Sequence, residues 1–337
     1  MSEPLLSVRD LCVDYISPDG PVRALERISL EVAKGEVVGV AGESGCGKST
    51  LGQAILRILP PPAVITGGEV IFEGRNLLKL SEAELRGVRW TRLSMVFQSA
   101  MDALNPVLTV GEQIADTIEA HGAGRGTAAK ARTAELLELV GLAPDRAKSY
   151  PHQLSGGMRQ RVGIAIALAL KPSLVILDEP TTALDVIVER EILQQILQLK
   201  QQFGFSVIFI THDLSRMLQI SDRVAIFYAG KLVELGPAQE LRARPRHPYT
   251  QGLLRAFPSV HGGTVELSSI SGPPPSLRNP PPGCRFHPRC PVAVDRCRVA
   301  PGPELLQLGP LHAAACWVAQ AEAVDRGAVL AATAPSP

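Results

Sequence analysis

Gly42-Glu43-Ser44-Gly45-Cys46-Gly47-Lys48-Ser49-Thr50 fits the phosphate-binding pattern G-x-x-x-x-G-K-[ST]. A run that reads as a strand, Glu36 to Ala41, precedes it. An amphipathic helix from about Lys48 follows, with Leu51, Ile55, Leu56 and Leu59 on one side. Strand, loop and helix in that order are the context the pattern needs. Glycines let the backbone curl so that successive N–H groups face phosphate oxygens, and the helix start adds partial positive charge. In that setting Lys48 reaches the β- and γ-phosphates and the Ser49 hydroxyl ligates Mg²⁺.

Working outward, a second chemical signature lies at Leu174-Val175-Ile176-Leu177-Asp178-Glu179-Pro180. Four large apolar residues in a row mark a strand buried on both faces. Carboxylates at the end of such a strand stand where open α/β sheets bind ligands. Asp178 suits the Mg²⁺ shell, and Glu179 is placed to polarise a water that attacks the γ-phosphate. Ser206-Val207-Ile208-Phe209-Ile210 is another buried strand, and Thr211-His212-Asp213 follows it. Leu154-Ser155-Gly156-Gly157-Met158-Arg159-Gln160-Arg161 opens a helix that runs through Val162–Leu170 to Pro172. Ser155 is its N-cap, and a Ser with two glycines at a helix start is a second anion-binding geometry.

The remaining chain supports a mixed α/β sheet. Leu6, Val8, Leu11, Val13 and Tyr15 alternate with polar residues as a half-buried strand does. A turn at Pro18–Pro21 leads to a strand pair near Arg23–Arg27 and Ser29–Val32. Gly67-Gly68 turns into a short strand, Glu69 to Phe72, and Leu93 to Phe97 is a strand ending at Gln98. Val110 to Leu142 reads as helices broken at Gly122–Gly126, an inserted helical block. Val186 to Phe203 is a helix with Ile187, Ile192, Leu193, Ile196, Leu197 and Leu199 on its apolar side. Strands Val224–Tyr228 and Leu232–Leu235 flank a turn at Gly230. From about Pro258 the composition shifts to Pro runs, then to a Cys-rich stretch, and the last dozen residues are expected to be loosely ordered.

Composition sets limits. The 337 residues are 45% hydrophobic, with 34 basic against 33 acidic residues and a formal net charge of +1. That balance gives no support to nucleic-acid binding. The start lacks the basic and apolar regions of a signal peptide, and the longest apolar run, about nine residues, is too short to cross a bilayer. A cytoplasmic protein is expected, whose membrane association comes through a partner.

Six motifs in order resemble the ATP-binding subunits of ABC transporters: Gly42–Thr50 (Walker A), Gln98 (Q-loop), Leu154–Gln160 (signature), Leu174–Glu179 (Walker B), Ala183-Leu184-Asp185 (D-loop) and His212 (H-loop). Tyr150–Arg161, Asp178–Val186, His247-Pro248-Tyr249-Thr250 and Gly283-Cys284-Arg285-Phe286-His287-Pro288-Arg289-Cys290-Pro291 look like the oligopeptide/dipeptide permease branch. The resemblance implies an α/β P-loop NTPase of RecA-like mixed-sheet core, with an inserted α-helical subdomain at about 99–170 and an antiparallel β subdomain. It implies a nucleotide-binding domain at 1–258, a C-terminal region with a four-Cys module at 259–320, and a tail at 321–337. The implied function is an ATPase that powers peptide uptake from the cytoplasmic face of the inner membrane. Its partners would be a second, different ATPase subunit, two transmembrane permease subunits and an extracytoplasmic peptide-binding protein. The same machinery in relatives serves nickel chelates or other small solutes; a soluble, non-transport ABC ATPase is the remote alternative.

Residue by residue, the resemblance makes Tyr15 an adenine platform, although by pattern alone it is an ordinary strand aromatic. Gly42, Glu43, Ser44, Gly45, Cys46, Gly47, Lys48, Ser49 and Thr50 cradle the phosphates. Gln98 senses the γ-phosphate and Mg²⁺, Asp178 holds the metal, Glu179 and His212 serve the attacking water. Ser155, Gly156 and Gly157 close over ATP held by the opposite subunit, and Asp185 links the two sites.

Cys284, Cys290, Cys297 and Cys316 fall within 33 residues, spaced C-x5-C, C-x6-C and C-x18-C. Four thiols in a reducing compartment can hold an iron–sulfur cluster or zinc, or stay free. The family pattern implies a [4Fe–4S] module. Cys12 and Cys46 read as structural, with Cys46 in an electropositive loop that favours alkylation.

Overall fold

The alternation at Leu6 to Tyr15 becomes an extended ribbon, and strands follow from there to the C-terminus of this computed structural model. It describes residues 3–98, 103–181, 184–256, 270–326 and 331–332. In chain order the strands are β1 (Leu6–Ser17), β2 (Gly20–Val32), β3 (Val37–Ala41), β4 (Ala63–Phe72), β5 (Arg75–Asn76), β6 (Leu93–Val96) and β7 (Leu174–Asp178). They continue as β8 (Ser206–Ile210), β9 (Arg223–Tyr228), β10 (Lys231–Pro237), β11 (Leu306–Gly309), β12 (His312–Ala314) and β13 (Ala331–Ala332). The chain divides into two units, residues 1–32, 37–78 and 210–337 in one, and 33–36 with 79–209 in the other.

In the first unit β2-β1-β4-β5 form an antiparallel sheet. A second run, β13-β11-β12-β10-β9-β3, is antiparallel except for the parallel pair β3–β9. Leu6, Leu11, Val13, Leu25, Ile28 and Val32 are buried between the ribbon and its neighbours. Each such side chain contributes about 1.5–3 kcal/mol on full burial.

In the second unit the order is β8-β7-β6, and β6–β7 are parallel in the register Leu93↔Leu174 to Val96↔Leu177. Every residue of β7 and β8 is buried, as their unbroken apolar runs require. Helices Val110–Ala120, Thr127–Leu139 and Gly156–Ala167 pack on one another. The first is started by a reciprocal cap, Thr109 with Glu112.

Several expectations are corrected. The strand pair at Arg23–Arg27 and Ser29–Val32 is one strand, β2, in which Arg27 takes a left-handed φ of 50°. Its N–H donates to the Cys12 sulfur at 3.3 Å, which holds the bend. Gly67-Gly68 is not a turn: β4 continues through it, with Gly68 at a positive φ of 91° where the pairing with β1 shifts register. A side chain at Gly68 would place its Cβ 2.5 Å from the Arg9 carbonyl oxygen, so the glycine serves a close approach of the two paired strands at that irregularity. The helix after the phosphate loop stops at Leu56, where Arg57 turns left-handed, and Leu59 lies beyond it. The helix from Gly156 ends at Ala167, ahead of Pro172: the Ala169 N–H tightens onto the Ile166 carbonyl at 3.2 Å, and Lys171 takes a left-handed φ of 54°. Ile187 is 72% exposed, not on the buried side of helix Val186–Phe203. Trp317–Asp325 is helical and Ala331–Ala332 pair with β11, while most of the last dozen residues lie outside the described ones. The expected boundary at Pro258, the start of the helical block at 99–102 and Ala183 lie outside the described residues.

Candidate functional site

The phosphate loop is assembled in the first unit. β3 is fully buried and delivers the chain to Gly42, whose φ is 152°. A Cβ there would run into the Phe227 carbonyl oxygen, so only glycine lets β9 approach so closely. Gly47, at φ 106°, caps helix Lys48–Leu56 without a side-chain hydrogen bond, and no acid stands in the first turn. The helix start thus presents uncompensated N–H dipoles to an anion. Lys48 is 5% exposed, and its Nζ donates to the carbonyls of Gly42 at 2.7 Å and Glu43 at 3.1 Å. Ser44 and Gly45 are exposed at the loop crest, and Ser49 is half-buried. Tyr15 Oη lies 3.3 Å from Thr50 Oγ1, so the aromatic ring is tethered beside the helix that leaves the loop.

Cys46 corrects the expectation of ready alkylation. Its side chain is buried, and burial pushes its thiol up, against the opposing charge of Lys48. Desolvation outweighs the positive neighbour, so the thiolate is scarce.

His212 is exposed just past β8. The Thr211 N–H donates to the Val40 carbonyl at 3.4 Å, which holds the segment against the strand that feeds the loop. Asp213 then caps the next helix through the Arg216 N–H.

In the second unit, the β6–β7 register decides the geometry of the carboxylates. Extending the pair Val96↔Leu177 by two residues sets Gln98 opposite Glu179. Gln98 Nε2 donates to Glu179 Oε2 at 2.9 Å. Asp178 is 2% exposed, and Glu179 adopts a left-handed φ of 45°. That turn costs a non-glycine residue about 1–3 kcal/mol, and such strain is concentrated at functional positions. Ser155 accepts from the Met158 N–H at 3.3 Å, which confirms it as the cap of the Gly156–Ala167 helix. A Cβ on Gly157 would lie 2.6 Å from Val188 Cγ1. Asp185 caps helix Val186–Phe203 by accepting from the N–H groups of Ile187 at 3.1 Å and Val188 at 3.0 Å. Within each unit the structure therefore joins Gly42–Thr50 with Tyr15 and the His212 segment, and Gln98 with Glu179.

The four C-terminal thiols are free. Burial pushes Cys284 up to about 11 and also raises Cys290 and Cys316, with the neighbouring cysteines adding to each rise. Among the described residues no group of three or more His, Cys, Asp or Glu side chains is placed to hold a metal ion. The cysteines as they stand thus give the iron–sulfur expectation no ligand set. Two residues that sequence reasoning assigned no role bear on the loop. Tyr249 Oη accepts the Glu43 N–H at 2.9 Å, and Arg289 pairs with the Glu43 carboxylate. Their motifs, His247–Thr250 and Gly283–Pro291, were visible, but not their target.

The family model described as ABC transporter matches residues 25–182, and that described as oligopeptide/dipeptide transporter, C-terminal region, matches 233–297. A probable peptide ABC transporter ATP-binding protein of Sinorhizobium fredii, y4tR, is 48% identical over 93% of this chain and 94% of its own length. The chain belongs to the ATP-binding subunits of peptide ABC transporters. The dipeptide transport ATP-binding protein DppD of Bacillus subtilis is 44% identical over 94% of this chain and 95% of that protein. Among solved structures, the dimeric bacterial ABC transporter cassette MJ0796 covers 69% of this chain and 98% of its own, at 30% identity and a TM-score of 0.63. The chain is accordingly an ABC-type ATPase with the P-loop fold and mixed α/β sheets. Among the described residues no helix is long and apolar enough to cross a membrane.

Proposed function

We propose that this chain powers the import of dipeptides or oligopeptides by hydrolysing ATP beneath a membrane permease. The observation that carries the reading is Gln98 held on Glu179 at the end of a buried strand, in a chain whose other unit builds a complete phosphate loop. Peptide as the cargo rests on relatives named for dipeptide and oligopeptide transport.

Lys48 and the N–H groups of Gly42–Thr50 bind the triphosphate, and Tyr15 packs on the adenine. Ser49 and Asp178 offer the hydroxyl and carboxylate oxygens that suit Mg²⁺. When bound, the ion offsets the charge that develops on the phosphate oxygens. Glu179 orients and deprotonates the attacking water, His212 steadies the γ-phosphate, and Gln98 reports its presence. Ser155, Gly156 and Gly157 serve the nucleotide of a second ATPase subunit, and Asp185 relays between the two. ATP binds the closed pair of subunits better than the open one, so hydrolysis and phosphate loss reverse closure.

The partners in this reading are a second, different ATPase subunit, two transmembrane subunits and an extracytoplasmic peptide-binding protein, with the chain peripheral at the cytoplasmic face. A cavity of 380 Å³ lined by Trp90, Met95, Phe97, Leu104 and Leu108, next in sequence to Gln98, suits a short element of a membrane subunit. Residues 1–258 form the nucleotide-binding region, with 99–170 its helical insertion and 259–320 the C-terminal region. A [4Fe–4S] group on Cys284, Cys290, Cys297 and Cys316 is the finer part of the proposal. Its support is the spacing of four cysteines within 33 residues of the sequence. Iron and sulfide analysis of anaerobically purified protein decides it.

The main test is to purify the assembled complex and measure ATPase activity with peptide-loaded binding protein. Stimulation by peptides supports the reading. Stimulation by a nickel chelate alone redirects the substrate, and isolation without polytopic subunits refutes import.

A further inference from the structure

The phosphate loop carries an acid, Glu43, inside a cradle meant for an anion. Its charge reaches the loop interior, since it acts on Cys46. An unpaired carboxylate there would repel the triphosphate. The C-terminal segment supplies the answer from far along the chain. Arg289 Nη1 donates to Glu43 Oε2 at 2.7 Å and Nη2 to Oε1 at 2.9 Å, a two-pronged pair. The Arg289 side chain is 7% exposed against 24% for Glu43. Its remaining donors are fixed too: Nε on the Ser271 carbonyl at 3.0 Å, Nη2 on the Ile270 carbonyl at 3.4 Å, Nη1 on Tyr228 Oη at 3.2 Å.

Arg289 is aimed by its surroundings. It ends the short turn His287–Arg289 between Cys284 and Cys290. Phe286, just ahead of that turn, packs on Tyr228 and Tyr249 with ring centroids 5.2 and 5.4 Å away. Tyr249 in turn accepts the Glu43 N–H. Arg285 donates to the Ala229 carbonyl and to Glu26, which docks the same segment on the β9–β10 turn. Backbone and side chain of Glu43 are thus both held by residues that follow the motifs of the nucleotide site.

We infer that Arg289 is a positioning residue for ATP binding: it neutralises Glu43 and fixes the phosphate loop, so that the C-terminal segment sets nucleotide affinity. The guanidinium does not touch the nucleotide; it acts through Glu43. A planar fork matched to a carboxylate, buried and fully engaged, does this better than a lysine, whose point charge lacks the second prong. The inference rests on the ATPase reading.

The test uses the assembled transporter. Arg289→Ala is expected to raise the KM for ATP about tenfold, as loss of one charge-assisted pair does, while kcat stays within about twofold. Arg289→Lys should fall between. Adding Glu43→Gln to Arg289→Ala removes the stranded charge and should restore most of the affinity. A merely structural arginine would give no such rescue. Thermal melts without nucleotide establish that each variant is folded; if Arg289→Ala is not, Arg289→Lys with and without Glu43→Gln gives the same comparison. An unchanged KM, or a loss that Glu43→Gln leaves uncorrected, overturns the inference. Wild-type complex that fails to hydrolyse ATP would instead overturn the ATPase reading.

Discussion

Glu179 sits in a left-handed turn that its side chain disfavours, at the end of a strand whose every residue is buried. The carboxylate leaves that turn in reach of Gln98, whose Nε2 donates to it at 2.9 Å. Glu179→Gln keeps the shape and removes the base. The variant should bind ATP with near-normal affinity while hydrolysis in the assembled complex drops by at least about a hundredfold. Turnover close to wild type would show that another group activates the water. Cys46 illustrates the opposite limit of sequence reasoning. Its place beside Lys48 suggests a reactive thiolate, yet burial dominates. Iodoacetamide on the folded chain, followed by mass spectrometry, should label the half-buried Cys284 and Cys290 before Cys46. Early modification of Cys46 would mean that the loop opens readily.

Elements that are set by contiguous residues were readable in advance. Ser155 was legible as a cap because a hydroxyl, two glycines and a following apolar run are neighbours in the chain, and its oxygen does accept the Met158 N–H. Ser155→Ala should lower the free energy of unfolding by about 1 kcal/mol, measured by denaturant unfolding. No change would mean that the helix start is held by packing alone. Helix Val186–Phe203 was also legible in its limits, to which the structure adds the Asp185 cap and Gly204 at its end. Its exposed Val186 and Ile187 were not, because a helical period assigns faces but not where the buried stripe begins. Gly67-Gly68 misled for a related reason. Two glycines signal a turn locally, whereas here Gly68 lets β4 pair closely against Arg9 and Asp10 of β1.

At the scale of the molecule, burial also writes a pH dependence into the first unit. Complete burial depresses the His247 imidazole to about 4, only partly opposed by the charge of the Glu234 carboxylate, which accepts the main-chain N–H of His247 at 3.0 Å. The unfolded chain therefore takes up that proton first. The contribution is whole above pH about 6.5 and is lost as pH falls toward 4, on the order of 3 kcal/mol in all. Denaturant midpoints at pH 7 and pH 4.5 should separate more in the wild type than in His247→Gln; equal separations would show that His247 is not the group responsible. The sequence by itself determined the phosphate loop, the buried carboxylate strand and the Ser155 helix cap, since each is encoded within a dozen adjacent residues. Only the tertiary structure decided that Gln98 meets Glu179 across 81 residues, that Arg289 grips Glu43 across 246, and that Cys46 is sealed from solvent. Those outcomes depend on strand register and on which side chains exclude water from which, and no local stretch of chain contains that information.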